Sequence, residues 1–205
     1  MKVETLRVAG IEEAVHAMRN PMNSWGKNDT KDNVGPNDRT LSERLQKAGP
    51  EHCKHLRMIN VWADIEAPRF WEIELDTYRI GVEKVSCSTM HKLLSRHLEL
   101  SDFVYSSNNT MVVDTLIDTI DAINSMMDLY KSIDNEEKKK FIWRGIIELL
   151  PQSYIQKRTY MFSYAALRNI VRQRKGHKLY EWKQFIDWVH TLPESWMIFD
   201  EDVPE

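Results

Sequence analysis

Leu56-Arg57-Met58-Ile59-Asn60-Val61-Trp62-Ala63-Asp64-Ile65 alternates along its length and runs directly into Glu66-Ala67-Pro68. Leu56, Met58, Asn60, Trp62 and Asp64 fall on one side; Arg57, Ile59, Val61, Ala63 and Ile65 fall on the other. A period of two is the pleat of a β-strand, and apolar residues on both sides mean cover on both faces. The stretch predicts a central strand. Ala67-Pro68 then opens a helix, since proline suits a first turn where no N–H is needed. Phe70, Trp71, Ile73, Leu75 and Tyr78 give that helix its apolar surface. The pattern breaks near Gly81. Ser86-Cys87-Ser88-Thr89 reads as a loop rich in hydroxyl and thiol groups, and 91–98 as another short element.

Upstream, Lys2 to Val8 predicts a short strand and Ile11 to Met18 a helix stopped by Asn20-Pro21. Residues 20–38 are polar and rich in turn pairs, so they read as a long loop of the kind that forms lids. Thr40 to Ala48 predicts a helix capped by Thr40 or Ser42 and stopped by Gly49-Pro50. Downstream, Asn108-Asn109-Thr110 begins a helix in which Val113, Leu116, Ile120, Ile123, Met127 and Tyr130 step by three and four. Further helices are expected over Asp134–Leu150, from about Tyr160 to Lys175, and over Tyr180–Thr191. The amino half is mixed and the carboxy half mostly helical, with no repeat and no linker. The expectation is a single α+β domain over residues 1–205.

Composition narrows the function. Hydrophobic residues make up 42% and charged residues 29%, as in a soluble globular chain and unlike a disordered one. The net charge of −3 disfavours non-specific nucleic-acid binding as the main task. Cys53 and Cys87 are the two cysteines, too few for a disulfide framework or a four-thiolate zinc site. The amino terminus lacks the apolar segment of a signal peptide, and no apolar run reaches the ~20 residues of a membrane span. A reducing cytoplasm is the expected compartment.

Local clusters carry the chemistry. From Lys157 to Lys183 the chain holds Lys157, Arg158, Arg168, Arg172, Arg174, Lys175, Lys178 and Lys183, opposed by Glu181 alone. Arg168, Arg172 and Lys175 read as a solvated helix face. Arg174 differs: it follows Val171, Ile170 and Leu167 by three, four and seven, so it points inward with them. A buried guanidinium needs an anion, either a protein carboxylate or a ligand phosphate or carboxylate. In the helix after Pro68, Glu72, Asp76 and Arg79 share one face and Glu74 and Tyr78 another. The plain reading is an Asp76–Arg79 ion pair. The functional one aims Arg79 at the Ser86–Thr89 loop, whose amides and hydroxyls suit an anion. The histidines show no metalloprotease spacing, and no phosphate-binding glycine motif or nucleophile elbow is present.

The order of these segments resembles the flavin-dependent thymidylate synthase (ThyX) family. A central strand, Ala67-Pro68, a helix ending near Arg79 and a Ser-rich loop are followed by Leu149-Leu150-Pro151, an aromatic segment, and Asn169 and Arg174 on one helix. The family signature is R-H-R-x-x-S-x-N-E-x-S-x-R-Y, and the aligned stretch here is Thr77 to Met90. Arg79 is retained, Cys87 falls at the second serine between Ser86 and Ser88, and Thr77 and Tyr78 replace the first Arg and the His. Val85 replaces the Glu, and Thr89 replaces a phosphate-holding Arg. The run Tyr164-Ala165-Ala166-Leu167-Arg168-Asn169-Ile170 with Gln173-Arg174-Lys175 resembles a divergent group from phages and Gram-positive bacteria.

The resemblance implies a homotetramer that binds FAD and a uridine nucleotide and modifies a pyrimidine nucleotide such as dUMP. The alternative is a catalytically inactive relative that binds or sequesters a nucleotide or a nucleotide-derived signal. By resemblance the nucleotide-binding residues are Glu74, Arg79, Ser86, Cys87, Ser88, Thr89 and Arg174. Tyr78, Asn169, His177 and Lys178 fall to the flavin. Glu74 stands where the family has a Gln facing uracil. A carboxylate accepts but does not donate, so bases with exposed amines should gain over uracil there.

Overall fold

The computed structural model describes residues 1–199, so the last six residues of the expected domain lie outside the described part. The chain forms two compact units: Met1–Ile65 with Glu74–Val85 and the described residues from Arg158 onward, and Glu66–Ile73 with Ser86–Lys157. The elements are β1 (Lys2–Ala9), α1 (Ile11–Ala17), α2 (Pro36–Ala48), β2 (Asn60–Pro68), α3 (Arg69–Leu75), β3 (Val82–Ser86) and α4 (Thr89–Lys92). They continue with α5 (Thr110–Ser132), α6 (Glu136–Leu149), β4 (Ile155–Ser163), α7 (Tyr164–Arg174) and α8 (Tyr180–His190). The strands form one antiparallel sheet in the order β1-β2-β4-β3, which gives the expected α+β class. Among the described residues no helix is long and apolar enough to cross a membrane.

In the first unit β2 is the central strand that its alternation predicts, but it is fully covered on one face and not on both. Val61, Ala63 and Ile65 are fully buried, while Asn60, Trp62 and Asp64 are half-buried. It starts later than expected, because Lys54–Arg57 form a 3-10 turn. The partner strand explains the shift. The Tyr164 N–H donates to the Ile59 carbonyl at 2.9 Å, and Tyr164 already belongs to α7, so on this side residues before Ile59 have no β4 residue to pair with. Thr159 donates to Asp64 at 2.6 Å in the same register.

The helix expected from Tyr160 starts four residues later. Tyr160-Met161-Phe162 is the end of β4, where aromatic residues fit a pleated, covered surface. Ser163 divides strand from helix: its Oγ accepts the Ala166 N–H at 3.2 Å and caps α7. Phe162 packs against Phe185 and Trp188 of α8 with ring centroids 5.7 and 6.2 Å apart, and Phe185 meets Trp182 at 5.8 Å.

Arg168, expected on a solvated face, is a second correction. It is buried, donating to Gln46 Oε1 and to the Met197 carbonyl at 3.2 Å. It shares the buried stripe of Tyr164, Leu167 and Val171, at positions i, i+3, i+4 and i+7. Beside it, His55 is buried against Ser42, with its Nε2 3.0 Å from the hydroxyl. Burial, and then the charge of Arg168, push its imidazole down to about 4.

The 20–38 segment is more ordered than a plain loop. Two 3-10 turns, Asn20–Met22 and Trp25–Lys27, lead to α2, which begins at Pro36 and not at Thr40. Neither Thr40 nor Ser42 caps it. The Asp29 carboxylate does so from a distance, accepting the Asn37 and Asp38 N–H groups at 2.9 and 3.1 Å.

Gly81 makes the β3 entry possible. Its φ is +72, and an added Cβ would collide with the Ser163 side chain. Its carbonyl accepts the Ser163 N–H at 2.8 Å, so the turn and the α7 cap meet at one serine. Gly81→Ala is expected to cost about 1–3 kcal/mol in urea unfolding, through strain at positive φ and displacement of that cap. A loss below about 0.5 kcal/mol would show that the turn relaxes freely.

The second unit is built on the α5–α6 hairpin, capped by Asn109 and Asn135. Leu116, Ile120, Ile123 and Met127 of α5 and Ile142 and Ile146 of α6 share a core with Leu93, Leu98 and Phe103. Asn124 pins Leu98 by accepting from its N–H at 2.8 Å and donating to its carbonyl at 2.9 Å.

Candidate functional site

The amino-acid pattern turns Arg174 inward, and the structure shows what it meets there. Its Nη1 donates to Glu74 Oε2 at 3.0 Å, its Nε donates to the Tyr78 hydroxyl at 2.9 Å, and its side chain is 19% exposed. The guanidinium lies 4.7 Å from the Trp182 ring centroid and 5.4 Å from that of Tyr78. Of the two anions the sequence left open, the protein carboxylate is the one present. A planar cation stacked on two rings and bonded at two edges is a role for arginine and not for lysine.

Glu74 is the hub of this cluster. The same Oε2 accepts the Trp182 indole N–H at 2.8 Å and lies 3.4 Å from His177 Nε2. His177 Nδ1 accepts the Leu179 N–H at 3.2 Å, which in the neutral ring leaves the proton on Nε2, facing Glu74. On the other side, the Tyr78 hydroxyl donates to Gln173 Oε1 at 3.1 Å, and Gln173 Nε2 donates to Asn169 at 2.9 Å. One hydrogen-bonded chain thus joins Asn169, Gln173, Tyr78, Arg174, Glu74 and Trp182, with His177 beside it at the Glu74 carboxylate. Five of these seven are residues the resemblance singles out. Gln173 and Trp182 are not among the expected site residues; Trp182, fully buried at the start of α8, belongs to the core as well as to this cluster.

Tyr78 also walls a cavity of about 530 Å³ in the same unit, together with Asp76, Arg79, Lys84 and Tyr160. The expected Asp76–Arg79 pair is absent. α3 ends at Leu75, so the helical spacing does not extend to position 79. Asp76 instead pairs with Lys84 and with Arg158, the latter at 3.1 Å, while Arg79 is exposed. Lys178 is exposed on the segment between α7 and α8.

In the second unit, Cys87, Ser88 and Thr89 line a cavity of about 320 Å³ with Lys92, Arg96 and Lys157. This is not a free loop. Ser86 is the last residue of β3, the Cys87 N–H donates to the Lys157 carbonyl at 2.9 Å, and Ser88 caps α4 through the His91 N–H. Both cysteines are free thiols.

No protein-family model matches the chain, and no curated protein sequence does. Solved structures do. One of thymidylate synthase X from Helicobacter pylori with FAD and dUMP is 19% identical, with a TM-score of 0.74 over 98% of both chains. Another, of the flavin-dependent thymidylate synthase ThyX from the same organism complexed with FAD and dUMP, is 20% identical, with a TM-score of 0.76 over the whole of both chains. The α+β fold of this chain is ThyX-like along its full length.

Proposed function

We propose that this chain is a nucleotide-binding flavoprotein of the flavin-dependent thymidylate synthase type, acting on a pyrimidine nucleotide of the dUMP class. One observation carries the reading: the hydrogen-bonded chain from Asn169 to Glu74, with His177 3.4 Å from the Glu74 carboxylate, assembles, in a ThyX-like fold, five of the residues expected at the nucleotide and the flavin. The nucleotide set is Glu74, Arg79, Ser86, Cys87, Ser88, Thr89 and Arg174. The flavin set is Tyr78, Asn169, His177 and Lys178. That second set fits FAD chemically: a phenol and an amide suit the polar ring edge, and an imidazole and an exposed ammonium suit a diphosphate. Bound FAD would supply redox chemistry, and the protein side chains would orient the nucleotide against it.

The reading extends to one domain over residues 1–205, assembled as a homotetramer in the cytoplasm, or in the host cytoplasm for a phage-encoded chain. Exposed Met111, Ile117 and Leu129 on α5 and Phe141 on α6 support self-association, since apolar surface of this kind is covered in assemblies. A second reading is a catalytically silent nucleotide binder, favoured by the Glu74–Arg174 ion pair. There the cation that would face a ligand already has an anion inside the chain.

A visible spectrum of the purified protein, with mass spectrometry of what heat releases, tests the proposal. Flavin absorption and a released FAD mass are expected, with a rise of roughly a few degrees in Tm on adding dUMP in excess of its Kd. A colourless protein stabilised by nucleotide but unable to consume reduced nicotinamide would establish the silent reading. A colourless protein whose Tm responds to neither FAD nor any nucleotide would end both.

A further inference from the structure

The turn Lys54–Arg57 carries His55 into a buried polar junction where α2, α7 and the turn at Ser195–Met197 meet. The His55 Nε2 lies 3.0 Å from the Ser42 hydroxyl. The ring also donates to the His52 carbonyl, which falls to Nδ1 and leaves Nε2 as an acceptor in the neutral ring. The Ser42 hydroxyl therefore donates to Nε2. Its oxygen accepts from Gln46 Nε2 at 3.2 Å, and Gln46 Oε1 accepts from Arg168 Nη1. Arg168 also donates to the Met197 carbonyl at 3.2 Å. Every bond in this chain runs in one direction, because the guanidinium at one end can only donate and the His52 carbonyl at the other can only accept.

We propose that His55 is an acid sensor built into this junction: its neutral ring is the acceptor that completes the chain between α2 and α7, and a proton on Nε2 breaks it, so that mild acid weakens the docking of the two helices. No ligand is needed for this. The sensor stands apart from the candidate site, although α7 also carries Asn169, Gln173 and Arg174.

Three effects oppose the proton. It turns Nε2 into a donor, so the Ser42 hydrogen loses its acceptor in a residue that is fully buried. It places a charged imidazole out of reach of water. It sets that charge beside the Arg168 guanidinium, the charged group that acts on the ring. The other elements at this turn bring no opposing charge to the ring among the described residues. α2 presents Ser42 and Gln46, α1 buries Ala14 and Val15 and exposes Glu12, Glu13 and His16, and Lys54 and Arg57 of the turn itself are exposed. Burial first, and the Arg168 charge second, hold the imidazole at about 4 against an ordinary 6.5. Between those values the unfolded chain binds a proton that the folded chain refuses. Native stability therefore falls as pH drops through the unfolded value, and this loss is complete below the folded one.

Urea unfolding of the full chain at about pH 7 and about pH 5, beside His55→Gln, tests this. The glutamine carbonyl can accept from Ser42 but takes up no proton. From the upper pH to the lower, the unfolding constant of the native chain should rise about twentyfold more than that of His55→Gln. Equal rises in the two proteins overturn the proposal. Where His55→Gln does not fold, NMR of the imidazole nitrogens in the native chain decides. The His55 ring should still be neutral at the lower pH, and a charged ring in the folded chain overturns the proposal.

Discussion

Asp38→Ala should lower unfolding stability by about 3–5 kcal/mol, because it removes one member of a buried ion pair and strips several donors of their acceptor. Arg19 and Asp38 are 4% and 0% exposed, with Nη2 2.5 Å and Nε 2.6 Å from Oδ1. The other oxygen accepts the Asp29 and Thr30 N–H groups, each at 3.0 Å, and the Thr30 hydroxyl at 2.7 Å. The carboxylate thus anchors the segment before α2 to the end of α1. Denaturant unfolding reads the effect, and a loss under about 1 kcal/mol would show that the segment does not depend on it.

Acid adds an independent check. Burial alone would push the Asp38 carboxyl up, but the Thr30 hydroxyl, the Asp29 amide and Arg19 outweigh it and hold it below the ordinary carboxylate value. A depressed carboxylate contributes stability that is complete above its unfolded value and is lost as pH falls through the folded one. The native chain should lose this contribution below about pH 4, and Asp38→Ala should be flatter there.

This region shows what a linear reading captures. Residues 20–38 are loop-like in composition, yet Asp29 and Asp38 bond to each other's backbone and organise the segment. Neither side chain carries a periodic signal, so only their pairing in space shows it. The same holds at the site. The apolar stripe of α7 correctly turns Arg174 inward, but the same stripe takes in Arg168, which the run of basic residues places on a solvated face. A stripe fixes direction and not depth, so two arginines of similar phase need the neighbouring elements to tell them apart. Glu74 lies 100 positions from Arg174 and 108 from Trp182, and nothing local announces that they meet. β3 escaped notice for a different reason. Four of its five residues are exposed, so burial imposes no apolar alternation on it. β2, covered on one face by fully buried side chains, was legible because burial had written its period.

Trp182 joins core and site, and two substitutions separate its roles. Trp182→Ala should cost about 3–5 kcal/mol, the usual range for emptying a fully buried aromatic position, and should abolish nucleotide binding with it. The ring lies in edge contact with Phe185, Tyr78 and His177, at 5.8, 6.3 and 6.1 Å, and under the Arg174 guanidinium. Its removal loosens α8 and both groups that hold Glu74. Trp182→Phe keeps most of the apolar contact and the cation's aromatic face but deletes the indole N–H that Glu74 accepts. Its stability loss should be only about 1–2 kcal/mol. Its affinity for dUMP should still fall about tenfold, because the carboxylate loses one of the two donors that are its shortest contacts and is free to turn. A divergence between the two readouts, small in denaturant and large in calorimetry, is the signature of a residue that orients a binding group. Equal affinity in native protein and Trp182→Phe would mean that Arg174 alone suffices to hold Glu74, and that the indole belongs to the core.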